Sequence, residues 1–253
     1  MTVTIPIKSI DLRHGSAIAI HSLSWRDCED ILNELGEDRH TRIAYYQGTL
    51  EIMSPLSRHE RPHRLAGYIV TAILDAQGRD WEDFGSTTFY RKGMAGVEPD
   101  TCLYVTNAAL VRDCQERIDV DIYPPPDLAI ESDVTSKTLL SAYEAIAVPE
   151  VWIYRDDSLK IFLLTNGHYL ESESSLLFPD MAIKTIIPQL VNQAIAIGTS
   201  AMLREFRKSL ICGYIVTDCF TKEEYENDYS DSSASDKDSY IAANDIGGIF
   251  GKP

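Results

Sequence analysis

From Trp25 to Leu35 the apolar residues Cys28, Ile31, Leu32 and Leu35 recur at the three-and-four spacing of one helix face. Ser24 with Asp27 reads as a capping box, Asp standing where Glu is usual, and Gly36 as the stop. Residues 42–46 and 49–53, split by Gln47-Gly48, alternate as a β-hairpin with Glu51 among its strand residues. A second helix is predicted to open at Pro62, with Leu65, Ile69, Ala72, Ile73 and Ala76 on its buried side. Residues 81–90 supply one or two strands, and Arg91-Lys92-Gly93 forms a small basic loop. Two apolar runs, 96–105 and 127–134, read as adjacent strands, followed by a helix over 137–146 with Leu139, Leu140 and Tyr143 inward. Strands are predicted at 151–154, 159–164 and 168–173, with turns at Asp156-Asp157 and Asn166-Gly167, and helices at 182–197 and 199–210.

Residues 1–21 show no sustained period and read as an irregular or strand-like arm. From Ile211 onward the pattern decays, and 223–240 is rich in Asp, Glu and Ser, as in a disordered acidic tail. The elements between imply one α/β domain over 22–210: a central mixed β-sheet flanked by helices, with a flexible acidic C-terminal tail over 211–253. No internal repeat, Gly-rich phosphate loop or Gly-x-Ser-x-Gly elbow occurs.

The chemistry concentrates in the two central runs. Glu98 and Asp100 stand two apart on the first, as do Glu131 and Asp133 on the second, so each pair shares one face of a strand. If the strands pair, up to four carboxylates converge. Such a cluster repels itself and raises a pKa unless a cation stands between its members. An all-oxygen donor set suits Mg²⁺ or Mn²⁺.

Glu98-Pro99-Asp100, then 126–131 (Pro-Asp-Leu-Ala-Ile-Glu), then 148–154 (Val-Pro-Glu-Val-Trp-Ile-Tyr) resemble the Uma2 family of the PD-(D/E)XK nuclease superfamily, abundant in cyanobacteria. The resemblance extends over about residues 22–210. It implies a restriction-endonuclease-like fold and a metal-dependent endonuclease acting on DNA, with Asp100 and Glu131 as metal ligands. The superfamily's Lys two residues after that Glu is here Asp133. The nearest replacement is Lys137, one helical turn further on, expected to stabilise charge at the nucleophile; Asp133 or Glu98 would complete the metal shell. A His-Glu pair at this place precedes the long helix in the resemblance, so His59 and Glu60 are supporting candidates. The departure at Asp133 keeps a second reading open, a catalytically weak module of the same fold that binds nucleic acid or protein.

His59-Glu60-Arg61-Pro62-His63 also matches the HExxH zinc-protease pattern. That motif needs both His on one face of a continuous helix, and Pro62, lacking an N–H, argues against it by placing the helix start between them.

Of the 253 residues 44% are hydrophobic and 25% charged, ordinary for a globular protein with a sizeable core. No signal peptide and no membrane span are legible, so a cytoplasmic location is expected, with DNA as partner and a homodimer a compatible assembly. Five cysteines without CxxC spacing point to reduced, structural thiols. The net charge of −16 opposes nucleic-acid binding, and only part of it is in the tail, since residues 1–210 hold 20 basic against 30 acidic side chains. A DNA-facing surface must therefore be a local basic patch with bound metal. Arg204, Arg207 and Lys208 form the only dense basic cluster in the sequence, and it reads as a solvated helix face.

Overall fold

The computed structural model describes residues 6–36, 39–55, 57–114, 117–132 and 137–212; for residues 57–60, 137 and 138 it describes the backbone only. The chain divides into two compact units, Met1–Gly213 and Tyr214–Pro253, and the described residues belong to the first. The acidic stretch expected to form the tail lies outside them.

Among the described residues twelve strands and six α-helices follow in order: β1 (Ala17–Ile20), α1 (Trp25–Leu35), β2 (Arg42–Tyr46), β3 (Thr49–Met53), α2 (Ser57–Ala76), β4 (Glu82–Asp83), β5 (Phe89–Arg91), β6 (Ala95–Val97), β7 (Thr101–Tyr104), α3 (Ala108–Val111), β8 (Ile118–Asp119), β9 (Leu128–Ser132), α4 (Lys137–Ile146), β10 (Glu150–Arg155), β11 (Ser158–Thr165), β12 (His168–Ser172), α5 (Ile183–Ile197) and α6 (Thr199–Cys212). The architecture is mixed α/β, as the periodicities predict. Its strands divide between two six-stranded sheets, ordered β1-β3-β2-β6-β5-β8 and β12-β11-β10-β9-β7-β4.

α1 forms as its sequence dictates. Ser24 Oγ accepts from the Asp27 amide at 3.2 Å, the Asp27 carboxylate accepts from the Ser24 amide at 2.8 Å, and Gly36 ends the helix at φ +77°. Ser24→Ala is expected to lower stability by about 1 kcal/mol, the usual worth of an N-cap, measured as a shift in the urea midpoint. Cys28 and Leu32 pack on Ile43, Tyr45, Leu50 and Ile52 across one face of the first sheet. Of the arm predicted over residues 1–21, the described part, 6–21, is docked: β1 pairs antiparallel with β3, and Ile7 is buried in this same core.

α4 lies between the sheets. Its Leu139, Ala142, Tyr143 and Ile146 share one core with Ala44, Phe89 and Val97 of the first sheet and Cys102, Ala129 and Val151 of the second. It is the crossover from β9 to the parallel strand β10, a connection that needs a helix to span it. α2 packs on the opposite face of the second sheet with α5 and α6. Gly67 lets it approach: a Cβ there would stand 3.2 Å from Thr101 Cγ2.

Two expectations are corrected. The run 96–105 is two strands, β6 of the first sheet and β7 of the second, because the chain turns at Glu98-Pro99-Asp100 and a proline supplies no ladder N–H there. α2 begins at Ser57, so Pro62 lies inside it and His59 is helical rather than outside. The proline forfeits one helical hydrogen bond near the N-terminus, where few are yet made.

Candidate active site

The second sheet brings Asp100 and Glu131 together by register. β7 and β9 pair antiparallel, with Thr101 opposite Ile130 and Cys102 opposite Ala129. One step further the ladder sets Asp100 opposite Glu131, and directly opposed residues carry their side chains on one face. That face is the one α4 covers, since Cys102 and Ala129 point into the α4 core.

Asp100 is pinned by its Oδ2, which accepts from the Ser132 amide at 2.9 Å. Glu131 is 4% exposed and accepts a short hydrogen bond from Tyr143 Oη of α4. The Asp100 side chain and backbone amide both lie against it. Burial first, and then the Asp100 charge, push the Glu131 carboxyl well above the ordinary carboxylate range, more than the Tyr143 bond lowers it. The pair thus favours holding one proton, or a cation in its place. Tyr143, read from the sequence as core, is the site residue that sequence reasoning missed. Nothing in its helical spacing distinguishes a buried Tyr that packs from one that donates.

Glu98 does not join this pair. The turn at residues 98–100 sends it to the α1 face of the first sheet, where Arg39 pairs with it, Thr88 Oγ1 donates at 2.5 Å and the Ile43 amide at 3.1 Å. Its expected role in the metal shell is therefore replaced by a buried ion pair. Burial holds its carboxyl above the ordinary range although Arg39 opposes the shift. His63 is 2% exposed, its Nδ1 lying 2.8 Å from Thr101 Oγ1, on the α2 face next to Asp100. Asp133 lies outside the described residues, and the side chains of His59, Glu60 and Lys137 are likewise not described. The backbone places Lys137 at the first residue of α4, the helix that bears Tyr143.

Among the described residues no group of three or more His, Cys, Asp and Glu is arranged to hold a metal. The Asp100–Glu131 pair still fits a hard divalent cation, since Mg²⁺ is commonly held by one or two carboxylates and completes its shell with water and substrate phosphate.

The model of the family described as Uma2, "Putative restriction endonuclease", matches residues 27–196. The chain belongs to the Uma2 family. A solved structure described as a "putative nuclease belonging to DUF820" from Anabaena variabilis is similar at 12% identity, covering 72% of this chain and 99% of its own, with a TM-score of 0.43. No curated protein matches the chain.

Within this Uma2 chain the Val-Pro-Glu-x-Trp segment is structural. Glu150 is wholly buried at the start of β10, and its Oε1 accepts from Trp152 Nε1 at 2.5 Å. Its Oε2 takes the amides of Leu176 and Leu177 at 2.9 and 3.1 Å. The carboxylate thereby fastens the segment leading to α5 onto the second sheet.

Proposed function

We propose that this Uma2 protein is a divalent-metal-dependent endonuclease that hydrolyses DNA phosphodiester bonds at Asp100 and Glu131. The observation that carries the reading is the pairing register of β7 and β9, which sets two carboxylates against each other in a buried place where their mutual repulsion calls for a cation. A bound Mg²⁺ or Mn²⁺ would neutralise charge on the phosphate and acidify a water. The chain's own residues hold the ligands in place: the Ser132 amide fixes Asp100, and Tyr143 turns Glu131 so that its carboxyl faces Asp100. In this reading Lys137 supplies the positive charge that the superfamily's Lys supplies elsewhere, with its place in the motif taken by Asp133.

The test is cleavage of single- and double-stranded DNA at low salt with Mn²⁺ or Mg²⁺, low because an acidic protein with few phosphate contacts loses binding steeply as salt rises. Metal-dependent cleavage is expected, and Lys137→Ala is expected to slow it about 10²-fold, the scale of one lost charge-stabilising donor. An unchanged rate in Lys137→Ala removes that residue from the mechanism. No cleavage with either metal, from protein shown by circular dichroism to be folded, supports instead the module that binds without cutting.

A further inference from the structure

A cavity of about 750 Å³ opens on the α1 face of the first sheet, the far side of that sheet from α4. Arg39 and Arg42, three residues apart, line it together with Arg117, which the fold brings to them. Two carboxylates, Glu29 and Glu98, also line it, and Glu98 is already committed to Arg39. Among the described residues the lining carries three arginines against two carboxylates, a local balance that the net charge of −16 does not announce.

The residues of the wall also carry donors that no acceptor meets. Trp25 Nε1, Thr41 Oγ1 and Arg42 Nε belong to residues lining the cavity, and all three atoms are buried without a hydrogen-bond partner among the described residues. Indole and guanidinium nitrogens only donate, so what would complete the wall is an oxygen-rich acceptor. Leaving donors buried and unsatisfied is costly, and an anionic acceptor relieves that cost. The three atoms are sealed from water in this arrangement, so a ligand reaches them as the wall side chains turn toward it. Ser86 adds a hydroxyl, those of Thr87 and Thr88 being given already to the Phe84 carbonyl and Glu98, and the Trp25 and Tyr90 rings, 6.1 Å apart and inclined at 32°, add a flat apolar surface. Gly96 keeps the floor clear beneath Trp25.

We infer that this cavity is a binding site for a phosphoryl group carried on a nucleotide-sized ligand, the arginines and the Ser86 hydroxyl taking the phosphate and the aromatic wall the base. Arginine's fork suits a phosphate's several oxygens, and the volume falls within the range of small-molecule pockets. The inference stands apart from catalysis at Asp100 and Glu131, which lie on the second sheet.

The test titrates the full chain, without divalent metal, with inorganic phosphate, deoxyadenosine 5′-monophosphate and acetate, following tryptophan fluorescence and calorimetry. Phosphate is expected to saturate at millimolar concentrations and the nucleotide to bind at least about tenfold tighter, with a fluorescence change that Trp25→Phe removes. Arg42→Gln is expected to weaken nucleotide binding at least about tenfold, the scale of a lost charge-assisted bond, while Asp100→Asn leaves it unchanged. The near-isosteric Thr41→Val should not lower the melting temperature of the ligand-free protein, because it removes an unsatisfied hydroxyl. Thr41→Val should weaken binding as well, and it serves alone if Arg42→Gln does not fold. A 5′-phosphorylated trinucleotide separates the sources: tighter binding than the mononucleotide marks the end of a DNA strand, weaker binding a free nucleotide. No saturable binding, binding unaffected by both variants, or acetate binding as well as phosphate would each overturn the inference.

Discussion

Glu131→Gln is expected to abolish DNA cleavage, by about 10³-fold or more, while the metal-free variant melts at a higher temperature than the parent near neutral pH. Both effects come from one carboxyl. Gln keeps an oxygen for the Tyr143 hydroxyl and presents an amide to Asp100, so the local contacts survive and the charge needed to hold a cation does not. The stability gain follows from linkage. Folding raises the Glu131 pKa above its ordinary 4.5, so above pH 4.5 the folded state binds the proton more tightly than the unfolded chain. Stability is then lost as pH rises from that value through the folded pKa. Below pH 4.5 the carboxyl is protonated in both states, and this contribution is fully present.

The melting difference between variant and parent should therefore open above pH 4.5 and widen toward neutrality, at roughly 2–4 °C for each kcal/mol relieved in a domain of this size. Glu98 and Glu150 are shifted in the same direction, but they are common to both proteins and cancel in the comparison. Saturating Mn²⁺ should stabilise the parent and leave the variant unmoved. A variant that melts well below the parent at neutral pH, or still cuts, would show that Glu131 is a packing residue and not a ligand.

Local rules made much of the chain legible before its structure. Helix α4 was readable to the residue, and so were the capping box and glycine stop of α1, because short-range spacing and end chemistry fix such elements. What was not legible depended on the partition of strands between two sheets. Alternation along residues 96–105 is equally compatible with one strand or with two that turn at Pro99, and only pairing decides; that decision moved Glu98 to the other sheet while leaving Asp100 opposite Glu131. Pro62 misled for a related reason. A proline rule weighs one missing hydrogen bond, while the α2 backbone keeps its path by packing against β7, β9 and α5 further along. The cavity lay beyond any local reading, because Arg117 joins the neighbouring pair Arg39 and Arg42 only in the folded chain.

The Val-Pro-Glu-x-Trp segment supplies the prediction that separates a structural motif residue from a chemical one. Glu150→Ala is expected to destabilise the protein by about 3–5 kcal/mol, the scale for removing one side of a buried charged hydrogen-bond network. The loss is large because the buried Trp152 Nε1 would be left with nothing to accept it, and the part-buried amides of Leu176 and Leu177 would lose their acceptor. Glu150→Gln should cost less, about 1–3 kcal/mol: its single oxygen can serve either the indole or the two amides, and its NH₂ group then faces a donor on the other side. Urea unfolding followed by far-ultraviolet circular dichroism measures both. Glu150 begins β10 opposite Leu128, whereas Glu131 stands further along, opposite Ile153. The Gln variant, assayed well below its melting temperature, should therefore cut DNA and bind Mn²⁺ like the parent. If it unfolds like the parent but loses metal binding, then Glu150 belongs to the site and the division between the two carboxylates drawn from their contacts is wrong.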